Sequence, residues 1–198
     1  RYLSSAASDV YKRQIMNVNE KNIIDFKSAL VKDDAPVFSS GLYSWMMFLI
    51  NFYNRVKSDL KIDFDSFMIL QLVVSDSIYK VNKSGVKNYK ELGESLKDNS
   101  NIFSHKRKVN IASIAEVINL PRETVRRKIL HLSKLKFIDY NKSGISIGPE
   151  YQTVYAKFVP DTVTNMGKLV RKWEDDGTLK KLLEIKNNLW KNFILHQT

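Results

Sequence analysis

The chain has 198 residues, a length that allows one large domain or two small ones. Apolar residues make up 43% of it, enough for a sizeable core, and the 7 Gly and 4 Pro are too few for a turn-rich β-sandwich, so we expect long helices. The absence of Cys excludes disulfides and thiolate metal sites, and the net charge of +11 favours a polyanionic partner, either nucleic acid or an acidic membrane surface, over an inert basic surface.

We interpret residues 1–14 as a non-native leader, because this tract has no clear period and is similar to translated adaptor sequence. Met16 follows almost at once and is the start that we expect. The tract carries three basic residues and one acidic residue, so the rest of the chain keeps a net charge of +9. It has no continuous apolar core, so we do not interpret it as a signal peptide.

The next segments predict helices. Residues 17–38 indicate a short helix and a loop, and residues 41–61 have apolar residues at steps of three or four. The apolar run in the second segment is too short for a membrane span of about 20 residues. It is either a buried core helix or, because it is apolar nearly all round, a dimer-forming helix. The apolar positions are Leu42, Met46, Leu49, Tyr53, Val56 and Leu60.

A second buried helix is predicted over Asp65–Val81, with Asp63 or Asp65 as its N-cap. Residues 86–105 are polar and form a connector with a short helix at Tyr89–Leu96. The expected core face of the buried helix contains Phe67, Leu70, Val74, Ile78 and Val81.

A helix-turn-helix pattern begins at Ile111. The first helix would bury Ile114 and the small Ala115 together with Ile111 and Ile118, because close helix crossings need a small residue at the contact. Asn119 follows where the chain must turn, and Asn is second only to Gly in the left-handed conformation. Leu120 would then enter the core, and Pro121 would set the start of the second helix.

The second helix has an apolar stripe of Val125, Ile129 and Leu132 at helical spacing. The stripe predicts a buried face, and it leaves a mostly basic face free for nucleic acid. On a helical wheel of this segment, the residues opposite the stripe are Glu123, Arg127 and Lys134, and the residues on its flanks are Arg122, Thr124, Arg126 and His131.

Two β-prone runs, 137–140 and 145–148, flank a tight turn at 141–144 and predict a hairpin. A hairpin directly after a recognition helix is the wing of a winged helix, and Lys142 at its tip could reach a phosphate or the minor groove. Residues 105–144 hold ten Lys or Arg against three acidic residues, so most of the net charge is concentrated there, including the run Lys106–Lys108.

The segment Arg122-Glu123-Thr124-Val125-Arg126-Arg127 resembles the recognition helix of the catabolite activator/FNR family of bacterial regulators. The resemblance implies that Arg122, Glu123 and Arg127 read base edges and that Thr124 contacts phosphate. Pro121 departs from the family, which usually has Ser at that position. The match covers about 40 residues only, since the helical front half does not resemble the β-roll of that family.

The order of elements along the whole chain resembles the multiple-antibiotic-resistance-regulator (MarR) family, apart from a longer connector at 82–105. That resemblance implies a dimer formed by the terminal helices and a site for a small phenolic effector. After the hairpin we predict a short helix at Gln152–Val159, a helix over Asp161–Asp175 that begins after Pro160, a break at Gly177, and an amphipathic helix over Leu179–Leu195.

Other classes of function fit the sequence less well. The three His residues are far apart, and the sequence has no Gly-rich phosphate loop. We therefore expect that the protein is not an enzyme and that it binds no cofactor and no metal. A membrane-surface role for the lysine-rich C-terminal helix, around Trp190, is a weaker alternative than a dimer or core element. A winged helix used only for protein contacts, and a plasmid or phage replication initiator or architectural protein, are further alternatives.

We therefore predict a mainly α, cytoplasmic, homodimeric transcription regulator that binds double-stranded DNA in a sequence-specific way. Residues 16–105 form a helical region and connector, 106–149 a winged helix-turn-helix, and 150–198 C-terminal helices that dimerise. The dimer would place two recognition helices in successive major grooves, about 34 Å apart. The predicted DNA-binding residues are Arg122, Glu123, Thr124, Arg126, Arg127, Lys134 and Lys142.

Overall fold

The computed structural model describes residues 37–97, 109–142 and 144–183. It is mainly helical with one two-stranded antiparallel sheet, as expected. The leader at 1–14, the helix and loop predicted before residue 37, and the last helix beyond residue 183 lie outside the described residues. The elements are α1 (Val37–Asp59), α2 (Phe64–Asn82), α3 (Tyr89–Lys97), α4 (Ile111–Ile118), α5 (Arg122–Lys134), β1 (Ile138–Asn141), β2 (Gly144–Ile147) and α6 (Tyr151–Asp175).

The chain divides into two compact units. Among the described residues, the first unit consists of 54–97, 109–142 and 144–160, and the second consists of 37–53 and 161–183. The first unit contains α2 to α5 and the sheet. Helices α1 and α6 each begin in one unit and end in the other.

Helix α2 is the central element of the first unit, and α3, α4, α5 and β2 all contact it. Asp63 is its N-cap, as one of the two predicted alternatives: its side chain accepts a hydrogen bond from the Ser66 backbone N–H at 2.8 Å. The predicted apolar face is buried except for Ile78, which is half-buried. Burial extends beyond that face, because Ile69, Leu72 and Val73 are also buried.

Two tyrosines connect α3 with the first turns of α6 through hydrogen bonds and ring stacking. Tyr155 donates a hydrogen bond to the Tyr89 carbonyl oxygen at 2.7 Å, and Tyr89 donates one to the Tyr155 carbonyl oxygen at 3.3 Å. Their rings are stacked with centroids 4.9 Å apart. The polar connector therefore contributes a helix that packs on the core, and Leu96 of that helix is buried.

The prediction of two helices separated at Pro160 is wrong, because α6 runs unbroken from Tyr151 to Asp175 with Pro160 inside it. Proline removes one backbone hydrogen bond and disfavours a helix interior by roughly 3 kcal/mol, but its fixed φ is helical. Packing before the proline offsets this cost. Tyr151, Val154, Tyr155 and Phe158 are buried, and Arg55 donates a hydrogen bond to the Phe158 carbonyl oxygen at 3.0 Å.

In the second unit, the start of α1 packs on the end of α6 and on the residues after it. Trp173 donates a hydrogen bond from its indole N–H to the Gly41 carbonyl oxygen at 3.2 Å, and its ring lies 6.2 Å from that of Trp45. A side chain at Gly41 would overlap Thr178, so the close approach requires glycine there. The predicted break at Gly177 is confirmed, with a φ of 80°, and residues 178–183 are helical.

The apolar residues of α1 have two different environments. Val56 is buried, and so is Leu60 just after the helix, whereas Leu42, Met46 and Tyr53 are between 41% and 52% exposed. The interpretation of this segment as a buried core helix is therefore wrong for most of its length. Within the described residues, no helix is both long enough and apolar enough to cross a membrane.

Candidate nucleic-acid interface

A tight turn joins α4 to α5. Helix α4 begins with a reciprocal cap, in which the Asn110 side chain accepts from the Ser113 backbone N–H at 3.0 Å and the Ser113 hydroxyl accepts from the Asn110 N–H at 3.2 Å. It ends at Asn119, which has φ 53° and ψ 45°, the predicted left-handed conformation. The Leu120 N–H then donates to the Ala115 carbonyl oxygen at 3.2 Å. These hydrogen bonds fix the direction in which the chain enters α5.

The rotation of α5 about its own axis is determined by its apolar stripe. Val125, Ile129 and Leu132 have no exposed surface, as predicted. They face α2, α4 and β1, so the other side of α5 is left to solvent. This part of the chain is less buried than expected: Ile111 and Ile118 of α4 and Leu120 after it are only half-buried, while Ile114 and Ala115 are buried.

Most of the predicted DNA-binding side chains lie on the solvent side. Thr124 is half-buried beside the apolar stripe, so less of its side chain is available to a ligand. The predicted residues that are exposed are Arg122, Glu123, Arg126, Arg127, Lys134 and Lys142.

Glu123 and Arg126 form a bidentate ion pair within the first two turns of α5. Arg126 donates from Nε to Glu123 Oε2 at 2.9 Å and from Nη2 to Oε1 at 2.8 Å. These hydrogen bonds lower the pKa of the Glu123 carboxyl below its ordinary value and raise the pKa of Arg126. Sequence reasoning missed this pair, although an acid and a base three residues apart on a helix are neighbours.

Lys128 points away from the solvent side of α5. Its ammonium lies 2.7 Å from a carboxylate oxygen of Asp63 and 3.3 Å from one of Asp65, and its side chain is 18% exposed. One of the ten basic residues counted in this region is therefore neutralised within the fold. This contact could not be predicted from the sequence around Lys128, because the partners are about 65 residues apart in the chain.

The predicted hairpin is confirmed. Ile138 pairs with Ile147, and Asn141 pairs with Gly144, which has a positive φ of 123° that favours glycine. The hairpin is attached to Val109, two residues before α4, because the Ile145 N–H donates to the Val109 carbonyl oxygen at 3.1 Å. Lys142 is exposed in the turn, and Tyr140 is 40% exposed on β1.

An open cleft of about 370 Å³ separates the start of α4 from the hairpin. Its walls carry polar groups from both sides, including Asn110, Tyr140 and Lys142. The cleft is open to solvent and lies next to the exposed hairpin turn.

The surface formed by α5 and the hairpin carries a net positive charge. From Arg122 to Lys142 the exposed or half-buried side chains outside the Lys128 ion pair include six Lys or Arg and two carboxylates, Glu123 and Asp139. The basic run Lys106–Lys108 lies outside the described residues. Among the residues that the structure describes, no group of three or more His, Cys, Asp or Glu could hold a metal ion.

The chain matches no protein-family model, no curated protein and no solved structure.

Proposed function

We propose that this chain is a winged-helix transcription regulator that binds double-stranded DNA with sequence preference. The observation that carries the proposal is the orientation of α5: its buried stripe turns Arg122, Glu123, Arg126 and Arg127 outward together. An α-helix fits the major groove of B-DNA, and Arg and Glu near its N-terminus are the residue types that read guanine and cytosine there.

In this proposal four of the exposed cations have one of two roles. Arg122 and Arg127 read base edges, because a guanidinium can donate two parallel hydrogen bonds to guanine. Lys134, at the end of α5, and Lys142, in the hairpin turn, contact phosphates. The hairpin acts as the wing, and the half-buried Thr124 contributes at most one hydrogen bond to the backbone.

The regulator acts as a homodimer through the second unit. Eleven large apolar side chains on the two long helices there are between 37% and 62% exposed, eight on α1 and three on α6. With roughly half of about 200 Å² exposed for each, they present on the order of 1000 Å², compared with about 800 Å² per partner in a standard interface. They are Phe38, Leu42, Tyr43, Trp45, Met46, Met47, Ile50, Tyr53, Val163, Met166 and Val170.

The lack of charge on the α1 part of that surface allows a second copy of this chain to be its partner. Each chain has a net charge of +11, so two copies repel one another wherever basic surfaces meet. From Val37 to Asn54 the sequence has no charged residue, which removes that repulsion at the contact. Two copies related by a twofold axis would recognise an inverted repeat.

The experiment that tests the proposal is a selection from a library of DNA duplexes with a randomised centre, using the purified chain and repeated at several salt concentrations. We expect an enriched inverted repeat and an affinity that falls steeply with salt. Salt-sensitive binding without a motif would favour an architectural protein or a replication initiator. The absence of duplex binding at low salt would contradict the proposal and favour a module for protein contacts.

A further inference from the structure

The ion pair between Glu123 and Arg126 bears on how α5 recognises bases. One guanidinium contacts both carboxylate oxygens, at 2.9 and 2.8 Å, and the two side chains remain 65% and 49% exposed. Among the described residues, Arg122 and Arg127 on the same helix have no ion pair. Glu123 is therefore bound by one particular arginine, and the charges of the two groups cancel at the exposed surface.

We propose that Arg126 is a positioning residue, which holds and neutralises Glu123 so that its carboxylate can accept a hydrogen bond from a cytosine amino group. This inference rests on the proposed function and assigns a base to one position of the site. A bare carboxylate would be repelled by the phosphates of both strands. The neutral pair can enter the major groove without that repulsion.

The geometry leaves the carboxylate able to accept further hydrogen bonds. Each oxygen of an ionised carboxylate has two lone pairs, and Arg126 uses one lone pair on each oxygen. In the major groove only cytosine and adenine present an amino group. Adenine also presents the N7 acceptor next to that group, which repels a carboxylate, so cytosine is the base that fits best.

The same contacts occupy part of the donor capacity of Arg126. Its Nε and Nη2 donate to Glu123, and these two groups form one of the two edges with which a guanidinium can bind guanine. Arg122 and Arg127, which have no ion pair among the described residues, keep both edges for a base. The basic residues of α5 consequently differ in function, although they are adjacent in the sequence.

A double-mutant cycle on duplex selection tests the inference. The full chain is compared with its Glu123→Ala, Arg126→Ala and double variants on the randomised duplex library, and affinities are then measured on the enriched duplex and its single-base changes. Arg126→Lys keeps the charge but lacks the bidentate contact. Lys157→Ala, an exposed lysine on α6, is the control for the loss of one positive charge.

We expect the wild-type motif to contain a cytosine that Glu123→Ala and Arg126→Ala each relax, by roughly 10-fold in discrimination. Arg126→Ala should add little in the Glu123→Ala background, Arg126→Lys should restore the preference only in part, and Lys157→Ala should leave it unchanged. Two results would overturn this inference and leave the proposed function standing. One is an Arg126→Ala chain that keeps the wild-type preference for cytosine. The other is an Arg126→Ala change that lowers base discrimination as much in the Glu123→Ala background as in the wild type. A wild-type chain that binds no duplex would overturn the proposed function as well.

Discussion

Lys128 and Asp63 connect the helix proposed to enter DNA with the start of the central helix. The Lys128 ammonium lies 2.7 Å from Asp63 Oδ2, while Asp63 Oδ1 accepts the Ser66 backbone N–H that caps α2. One carboxylate therefore caps the N-terminus of α2 and binds Lys128 of α5. Because Lys128 lies on α5 between Arg127 and the buried Ile129, this contact helps to determine how α5 is oriented on α2.

We expect Lys128→Met to lower the free energy of unfolding by about 1 kcal/mol at neutral pH. The methionine keeps the apolar stem but leaves Asp63 and Asp65 beside each other without a counter-charge. Chemical denaturation would measure the change, with Lys157→Met as the control at an exposed position. Equal stability of the two variants would show that the ion pair contributes nothing.

The contribution of this ion pair should depend on pH at both ends of the range. Burial would raise the pKa of the Asp63 carboxyl, but hydrogen bonds from Lys128 and Ser66 lower it below 3.8 overall. Its contribution is therefore present above that pH and lost as pH falls through the lower, folded-state value. Burial would lower the pKa of Lys128, but the hydrogen bond to Asp63 raises it above 10.5 overall, so this contribution is lost as pH rises through the folded-state value.

The difference in stability between the wild type and Lys128→Met should consequently be greatest between about pH 5 and pH 9 and should shrink outside that window. Denaturation curves across the pH range would measure it. A difference that stays constant down to pH 2 would mean that the effect of the variant arises from packing and not from charge.

Arg122→Ala and Arg127→Ala should each weaken binding to the selected duplex by about 1–3 kcal/mol and relax the preference at one base position. Both side chains are exposed, so neither change should affect folding. Fluorescence anisotropy on the selected duplex and its single-base variants would measure both effects. Wild-type affinity in both variants would contradict their assignment as base-reading residues.

Lys142→Ala should weaken binding to all duplexes by a similar factor, because a phosphate contact carries no base information. The slope of log affinity against log salt should fall by about one, as expected for one phosphate contact fewer. Titrations at several salt concentrations would test this. A loss confined to the selected duplex would instead place Lys142 at a base edge.

Ile50→Asp in the exposed face of α1 should convert the dimer to monomer, because it places a buried charge at the contact between copies. Asn51→Asp adds the same charge at an exposed position that is already polar and should leave the dimer intact. Light scattering would measure the mass of both variants. A wild-type monomer, or an Ile50→Asp chain that remains dimeric, would remove α1 from the interface.

Local patterns were sufficient for the elements that surround the candidate interface. Asn119 adopts the left-handed turn, Val125, Ile129 and Leu132 are fully buried, and the hairpin forms where its two β-prone runs were recognised. These features depend on residues close together in the chain. Backbone preference, helical spacing and turn chemistry therefore predicted them, together with the helical character of the described residues.

Only the tertiary structure decided the remaining features, because each depends on residues distant in sequence. The packing of Tyr155 and Phe158 lets α6 pass through Pro160, against the local preference of proline. Asp63 removes Lys128 from the basic surface. The apolar face of α1 has the same composition whether it is buried or exposed, so its spacing alone could not distinguish a core helix from a surface open to a partner. The sequence by itself thus determined the local elements and the charge of the chain, and long-range packing decided which charges and apolar faces remain exposed.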